Sequence, residues 1–178
     1  FTIVEDMNGF QWPDPPANNY VDELVYEKLR QLQFVPAGLC SDNDFVRRVY
    51  LDVIGVLPTI AEQEAFFADP SPDRRQRLID NLLNRHEYAE FWALKWADLL
   101  RLQKAEVSEA GVYKFHNWLV DAVATNKPLD QFARELLTAQ GSTYDYPAAN
   151  YYRACGEPIK AAETTAQLFL GSRIQCAK

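Results

Sequence analysis

From Tyr20 to Leu170 the apolar residues recur every three or four positions, and Pro, Gly, Asn and Ser cut the pattern into short segments. That rhythm is the period of an amphipathic α-helix. A half-buried strand would instead alternate with period two, and no stretch of useful length does so. The chain is therefore constrained to stack short helices. With 48% hydrophobic and 13% aromatic residues it has enough apolar surface to build a core.

The segments can be bounded by their start and stop signals. Val21, Leu24, Val25, Lys28 and Leu32 place one buried stripe on a first helix from about Tyr20 to Phe34, broken by Pro36 and Gly38. A second helix follows Ser41, carries Phe45, Val49 and Val53 on one row, and stops at Gly55. Thr59-Ile60-Ala61-Glu62 is a capping box for a third helix that ends near Asp69. Ser71 with Pro72 at the first helical position should open a fourth, buried through Leu78, Ile79, Leu82 and Leu83. An aromatic helix, Tyr88 to Gln103, repeats Trp92, Trp96, Leu99 and Leu100. A sixth follows Ser108 with Val112, Phe115, Leu119 and Val123, and Pro128 opens a seventh that ends before Gly141. Residues 142–157 read as a long loop bearing Tyr144, Tyr146, Tyr151 and Tyr152. A last helix runs from Pro158 to Leu170, with Gly171 as its stop. The expected fold is all-α: an irregular or orthogonal bundle of about eight short helices. Residues 1–19, with Trp12-Pro13-Asp14-Pro15-Pro16, form an extended Pro-rich arm, and residues 20–178 form a single helical domain.

Charge and length exclude several partners. The net charge is −7, and the basic doublets Arg47-Arg48 and Arg74-Arg75 lie among acids, so no basic face gathers phosphates. Nucleic acid is not an expected partner. No apolar run approaches the roughly 20 residues of a membrane-spanning helix. The chain opens on Phe1 and shows no leader, as a processed or partial product would.

The sequence closes on Cys176-Ala177-Lys178, the first three positions of a Cys-x-x-Cys-His motif. The full motif attaches c-type haem through two thiols, and its His ligates iron. Cys176 is thus half of a possible haem attachment site. The other cysteines, Cys40 and Cys155, either pair with each other or stand as separate thiols; spacing alone does not decide. His86, His116 and Met7 are the candidate distal iron ligands, and each also reads as an ordinary surface or cap residue. Two histidines with scattered cysteines do not suggest a structural zinc site. Arg48 with Asp52 and Asp98 with Arg101 have helical pairing distance, and partly buried ion pairs are expected of them. Arg47 and Arg101 are alternative partners for haem propionates or an acidic substrate. Trp92 and Trp96 are expected in the core, whereas Trp12 and the loop tyrosines are the surface-binding candidates. No catalytic signature or Gly-rich phosphate loop is present.

Four ordered blocks carry a wider resemblance. They are Arg47-Arg48-Val49-Tyr50-Leu51-Asp52-Val53-Ile54-Gly55-Val56-Leu57-Pro58-Thr59, then Tyr88 to Arg101, then Asn126-Lys127-Pro128-Leu129-Asp130-Gln131-Phe132, then Ala161 to Lys178. Together they resemble a secreted, cytochrome-like family of unknown function best known from planctomycetes, over about Tyr20 to Lys178. In that family a helix ending Phe-Leu-Gly-x-Arg-x-Gln-Cys-Ala-x runs into Cys-His. The resemblance implies haem c in the full-length parent, with this fragment ending just before the motif is complete and carrying no haem of its own. It further implies one-electron transfer, a downstream companion domain, a redox partner or glycan, and a periplasmic or extracellular address. The alternative is a non-redox binding or assembly module, presenting the tyrosine-rich loop and Trp12 to a protein partner or glycan. A third reading is an enzyme whose active site is completed elsewhere.

Overall fold

The computed structural model describes residues 9–103 and 106–174. Among the described residues there are nine α-helices and no strand: α1 (Tyr20–Gln31), α2 (Asp42–Ile54), α3 (Ile60–Ala68), α4 (Arg74–Leu83), α5 (His86–Leu99), α6 (Glu109–Ala124), α7 (Leu129–Thr138), α8 (Asn150–Cys155) and α9 (Pro158–Phe169). A single 3-10 turn, Pro147–Ala149, precedes α8. The all-α expectation therefore holds, with one more helix than the sequence suggested. None of the described helices is long and apolar enough to cross a membrane.

The chain divides into two compact units, one ending at Asp42 and the other beginning at Asn43. In the first unit, residues 9–19 form no helix or strand. Asn19 then caps α1 by accepting from the Val21 and Asp22 amides. Gln33, at φ +55°, reverses the chain while the Phe34 amide returns to the Leu29 carbonyl. The apolar stripe of α1 is not buried as expected: Val21, Leu24 and Val25 are all exposed. Among its described residues this unit holds one full helix, and no second element of it covers that face. Trp12, expected on the surface, is half-buried edge-on to Tyr26.

The second unit contains two hydrophobic clusters. Val46, Val49, Tyr50 and Ile54 of α2 meet Phe66 of α3 and Leu82 of α4 in the first. Thr59 and Glu62 form the anticipated capping box of α3. The fourth helix starts later than expected. Residues 71–73 are a turn, with the Ser71 amide on Asp69 Oδ1, and Asp73 precedes the helix without a side-chain cap bond. Gly55 stops α2 at φ +73°, and any Cβ there would fall 2.3 Å from the Phe91 ring. It is required both for the turn and for the approach of α5.

The second cluster joins α5 to α9 and is built largely on small residues: Ala93, Ala97, Ala122, Ala148 and Ala161, around Phe115, Leu119, Phe132, Leu136 and Tyr151. The aromatic helix spans His86–Leu99 rather than Tyr88–Gln103. Arg101 at φ +60° ends it, and the Leu102 amide closes on the Ala97 carbonyl. Trp96 packs at the edge of this core, but Trp92, expected inside, is 38% exposed and donates from its indole to the Val53 carbonyl at 3.1 Å. The largest departure lies in residues 142–157. The expected loop contains the 3-10 turn and α8, and Tyr151 is fully buried instead of exposed. Its hydroxyl donates to the Ala161 carbonyl at 3.2 Å and lies 2.9 Å from Thr165 Oγ1. Asn150 is buried beside it, and its amide donates to the Thr143 and Pro147 carbonyls.

Candidate functional site

Among the cavities of the second unit, two of similar size have linings that differ in kind. The first encloses about 610 Å³ among α2, α3 and α4 and is lined by Tyr50, Glu62, Phe66, Asp69, Arg74, Arg77 and Arg85, among others. Its charges are committed to one another. Arg85 donates from Nε and Nη2 to Glu87 and from Nη1 to Glu62 Oε1 at 2.6 Å. The second Glu62 oxygen accepts from the Thr59 amide and hydroxyl, at 2.7 and 2.8 Å. The Thr59 amide bond, with help from Arg85, holds the Glu62 carboxyl below the usual range. The Arg85 fork brings Glu87 down to about 2. Arg77 pairs with Asp69 and Asp73. Arg74 donates to the Asp69 carbonyl and lies over the Phe66 ring. This is a clamp that joins the α3 cap to the start of α5, with its donors and acceptors matched internally.

The second cavity is a groove of about 660 Å³ lined by Leu137, Tyr152, Gly156, Glu157, Pro158, Ala161, Ala162, Thr165, Ala166 and Leu170. Local sequence explains its form. Ala161, Ala162, Thr165 and Ala166 lie at i, i+1, i+4 and i+5 on α9, so one face of the helix is low and mostly apolar. Gly156 at φ +74° turns the chain sharply from α8 into α9. Tyr152 forms one wall and ties α8 to α7 by donating to the Leu137 carbonyl at 2.6 Å. At the far end of α9 the Leu170 and Ser172 amides both return to the Ala166 carbonyl, and Gly171 at φ +65° redirects the chain. The described chain then leaves the groove end through Ser172 and Arg173 to Ile174. Cys176, the candidate attachment residue, lies outside the described residues, as does Met7.

The remaining sequence candidates fall elsewhere. His86 and His116 do not line the groove. They approach a single carboxylate instead: His86 Nε2 lies 3.1 Å from Glu90 Oε1, and His116 Nε2 lies 3.9 Å from Glu90 Oε2. Arg48, Asp52, Asp98 and Arg101 are exposed, and among the described residues no ion pair joins Arg48 to Asp52 or Asp98 to Arg101. The expectation of partly buried pairs is corrected: these residues are exposed, where water solvates their charges. Arg47 is likewise exposed. Among the described residues no disulfide engages Cys40 or Cys155. Burial pushes the Cys155 thiol up, which keeps it protonated and unreactive. Of the surface aromatics proposed for binding, Tyr144 and Tyr146 are exposed, while Tyr151 belongs to the core.

Sequence reasoning missed the Arg85 clamp, the groove itself and the convergence on Glu90. The clamp spans 23 positions between Glu62 and Arg85, and no local spacing announces it. The small-residue face Ala161-Ala162-Thr165-Ala166 was the available signal for the groove.

Comparison with known families adds one decisive finding. Residues 20–178 match the family described as PSCyt2, protein of unknown function (DUF1549). The chain belongs to this family. The match spans all of the described helices and extends through Cys176. No curated protein and no solved structure matches the chain. The two cavities are thus features of a PSCyt2 domain, for which this geometry provides the physical description.

Proposed function

We propose that this PSCyt2 domain forms one protein wall of a c-type haem site in a secreted or periplasmic parent protein, where it serves one-electron transfer. The observation that carries this reading is the location of the groove. An open apolar surface lies along the helix that leads, through Gly171, toward Cys176. Two further features support it: the family match through residue 178, and the run Phe169-Leu170-Gly171-Ser172-Arg173-Ile174-Gln175-Cys176-Ala177-Lys178.

The lining residues fit a porphyrin face. Leu137, Pro158, Ala161, Ala162, Ala166 and Leu170 offer apolar contact, and Tyr152 adds an aromatic wall. They do not fit an iron ligand, because the lining holds no His, Met or Cys. Axial ligands would come from other residues, and Cys176 would supply one thioether. A bound haem would supply a one-electron iron couple. The groove residues would exclude water from one porphyrin face, which raises the reduction potential of such a centre relative to a wet site. A companion domain downstream and a redox partner complete the reading.

The test is expression of the chain with its natural continuation under c-type haem maturation, followed by intact mass and absorption spectra. One covalently added haem, surviving acid extraction and abolished by Cys176→Ser, is the expected result. Apoprotein alone under these conditions overturns the reading.

A further inference from the structure

Between α6, α7 and residues 139–148 lies a further cleft of about 880 Å³, larger than the charged cavity or the α9 groove. Trp118, Glu135, Gln140, Asp145, Tyr146 and Pro147 are among its lining residues, and none of its lining is shared with the groove. Its back wall is committed to the protein. Phe115 and Phe132 stack on Trp118 with ring centroids 5.7 and 5.0 Å away, and Lys127 Nζ lies 4.9 Å over the same ring. Lys127 also donates to Glu135 Oε2 at 2.5 Å, while Gln131 donates to Oε1 at 2.8 Å. The Lys127 bond holds the Glu135 carboxyl below its usual range, so this acid is ionised and its charge balanced.

The mouth of the cleft is pinned in place but leaves its side chains open. The Ser142 hydroxyl accepts from the Tyr144 and Asp145 amides at 3.2 and 3.4 Å, and the Tyr146 amide returns to the Ser142 carbonyl at 2.9 Å. Buried Asn150 holds the same segment from beneath through the Thr143 and Pro147 carbonyls. The Tyr146 ring rests against Gly141, where a Cβ would stand 3.4 Å from Cδ2, and the residue is still 62% exposed. Asp145 and Gln140 are exposed beside it, and their side chains make no hydrogen bond or ion pair among the described residues. Of the aromatics expected at a binding surface, Tyr151 is in the core and Trp12 is half-buried, so Tyr146 is the one set in a cleft.

A fixed, exposed aromatic ring beside an acceptor-only carboxylate and a donor–acceptor amide matches the surface of a sugar. A pyranose has an apolar C–H face that stacks on such a ring. Its edge carries hydroxyls that donate to a carboxylate and exchange hydrogen bonds with an amide. A phosphate-bearing ligand is disfavoured by the two carboxylates. A strongly cationic one finds Glu135 already neutralised by Lys127 and meets Asp145 alone. We propose that this cleft binds a neutral glycan, with Tyr146 as the stacking platform and Asp145 and Gln140 as its hydroxyl partners. The site is separate from the α9 groove and does not depend on the haem reading.

The test is calorimetric titration of the 178-residue chain with a panel of neutral oligosaccharides: cellohexaose, xylohexaose, mannohexaose and laminarihexaose. Saturable binding of at least one is expected. Tyr146→Ala should weaken it about tenfold by removing the platform, and Asp145→Ala about tenfold by removing a charge-assisted hydrogen bond. Both side chains are exposed, so thermal midpoints should stay at the parent value. Tyr113→Ala removes an equally exposed ring outside the cleft and should leave binding unchanged. No response to any of the four sugars, or binding that survives Tyr146→Ala and Asp145→Ala in full, overturns the site. So does binding of a lysine-rich peptide in their place.

Discussion

The α2–α4 region and the α5–α9 region solve the same problem with different residues. The first fills its interior with large side chains, Val46, Tyr50, Ile54, Phe66 and Leu82, and closes its rim with the Arg85 clamp. The second brings helices together through alanines and seals them with Tyr151 and Asn150. Their cavities differ in the same sense. The charged one has its arginines paired with nearby carboxylates and a backbone carbonyl, whereas the apolar groove beside α9 exposes surface that nothing in the described chain covers. Self-satisfied polar networks stabilise a fold, while open apolar surface beside a chain exit is where a further group gains by binding.

If the two regions are packed as described, opposite changes of side-chain size should damage them. Leu82→Ala, at a site with 1% exposure, should cost about 2–5 kcal/mol in denaturant unfolding. Gly55→Ala should cost about 2–4 kcal/mol, because it combines a left-handed backbone with the 2.3 Å approach to Phe91. In the small-residue half the harmful change is enlargement: Ala93→Leu, at 0% exposure, should cost about 1–3 kcal/mol. An unchanged midpoint for Ala93→Leu would break the distinction between the regions. Removing the α3 cap with Thr59→Ala should cost about 1 kcal/mol.

Titration sharpens the comparison further. Glu62 and Glu87 have folded pKa values depressed by the cap and by Arg85, so their contribution is present above the ordinary carboxylate range. It is lost as pH falls toward about 2, the folded value for Glu87. Arg85→Ala should therefore flatten the acid limb of the stability profile below pH ~4.5. Tyr151 behaves in the opposite sense. Burial raises it from 10.0 to about 12, so its contribution is complete below pH 10 and lost between pH 10 and 12. Tyr151→Phe should flatten that alkaline limb; an identical slope in the variant would contradict the burial of the phenol.

The sequence announced what is local. The Thr59-x-x-Glu62 box, the Gly55 and Gly171 stops and the α6, α7 and α9 spans all follow from signals a few residues long. It did not announce α8, because six residues, Asn150–Cys155, are too few to display a helical period. The α1 stripe has the right period, yet Val21, Leu24 and Val25 are exposed, since periodicity says which residues share a face and not what meets them. Arg101 ends α5 without a Gly, so the aromatic pattern continues to Gln103, four residues past the helix end at Leu99. The Glu90 meeting point and the Arg85 clamp are tertiary products that no spacing along one helix encodes.

The most direct test of the central claim, that function lies at the apolar groove and not at the charged cavity, is a paired measurement. Haem incorporation would be measured in the naturally extended parent carrying either Ala162→Glu, at an exposed position in the groove, or Arg85→Ala in the clamp. The account predicts that Ala162→Glu lowers acid-stable haem content while leaving thermal stability unchanged, and that Arg85→Ala lowers thermal stability while leaving haem content per folded chain unchanged. Full haem content in Ala162→Glu, with loss confined to Arg85→Ala, would contradict it.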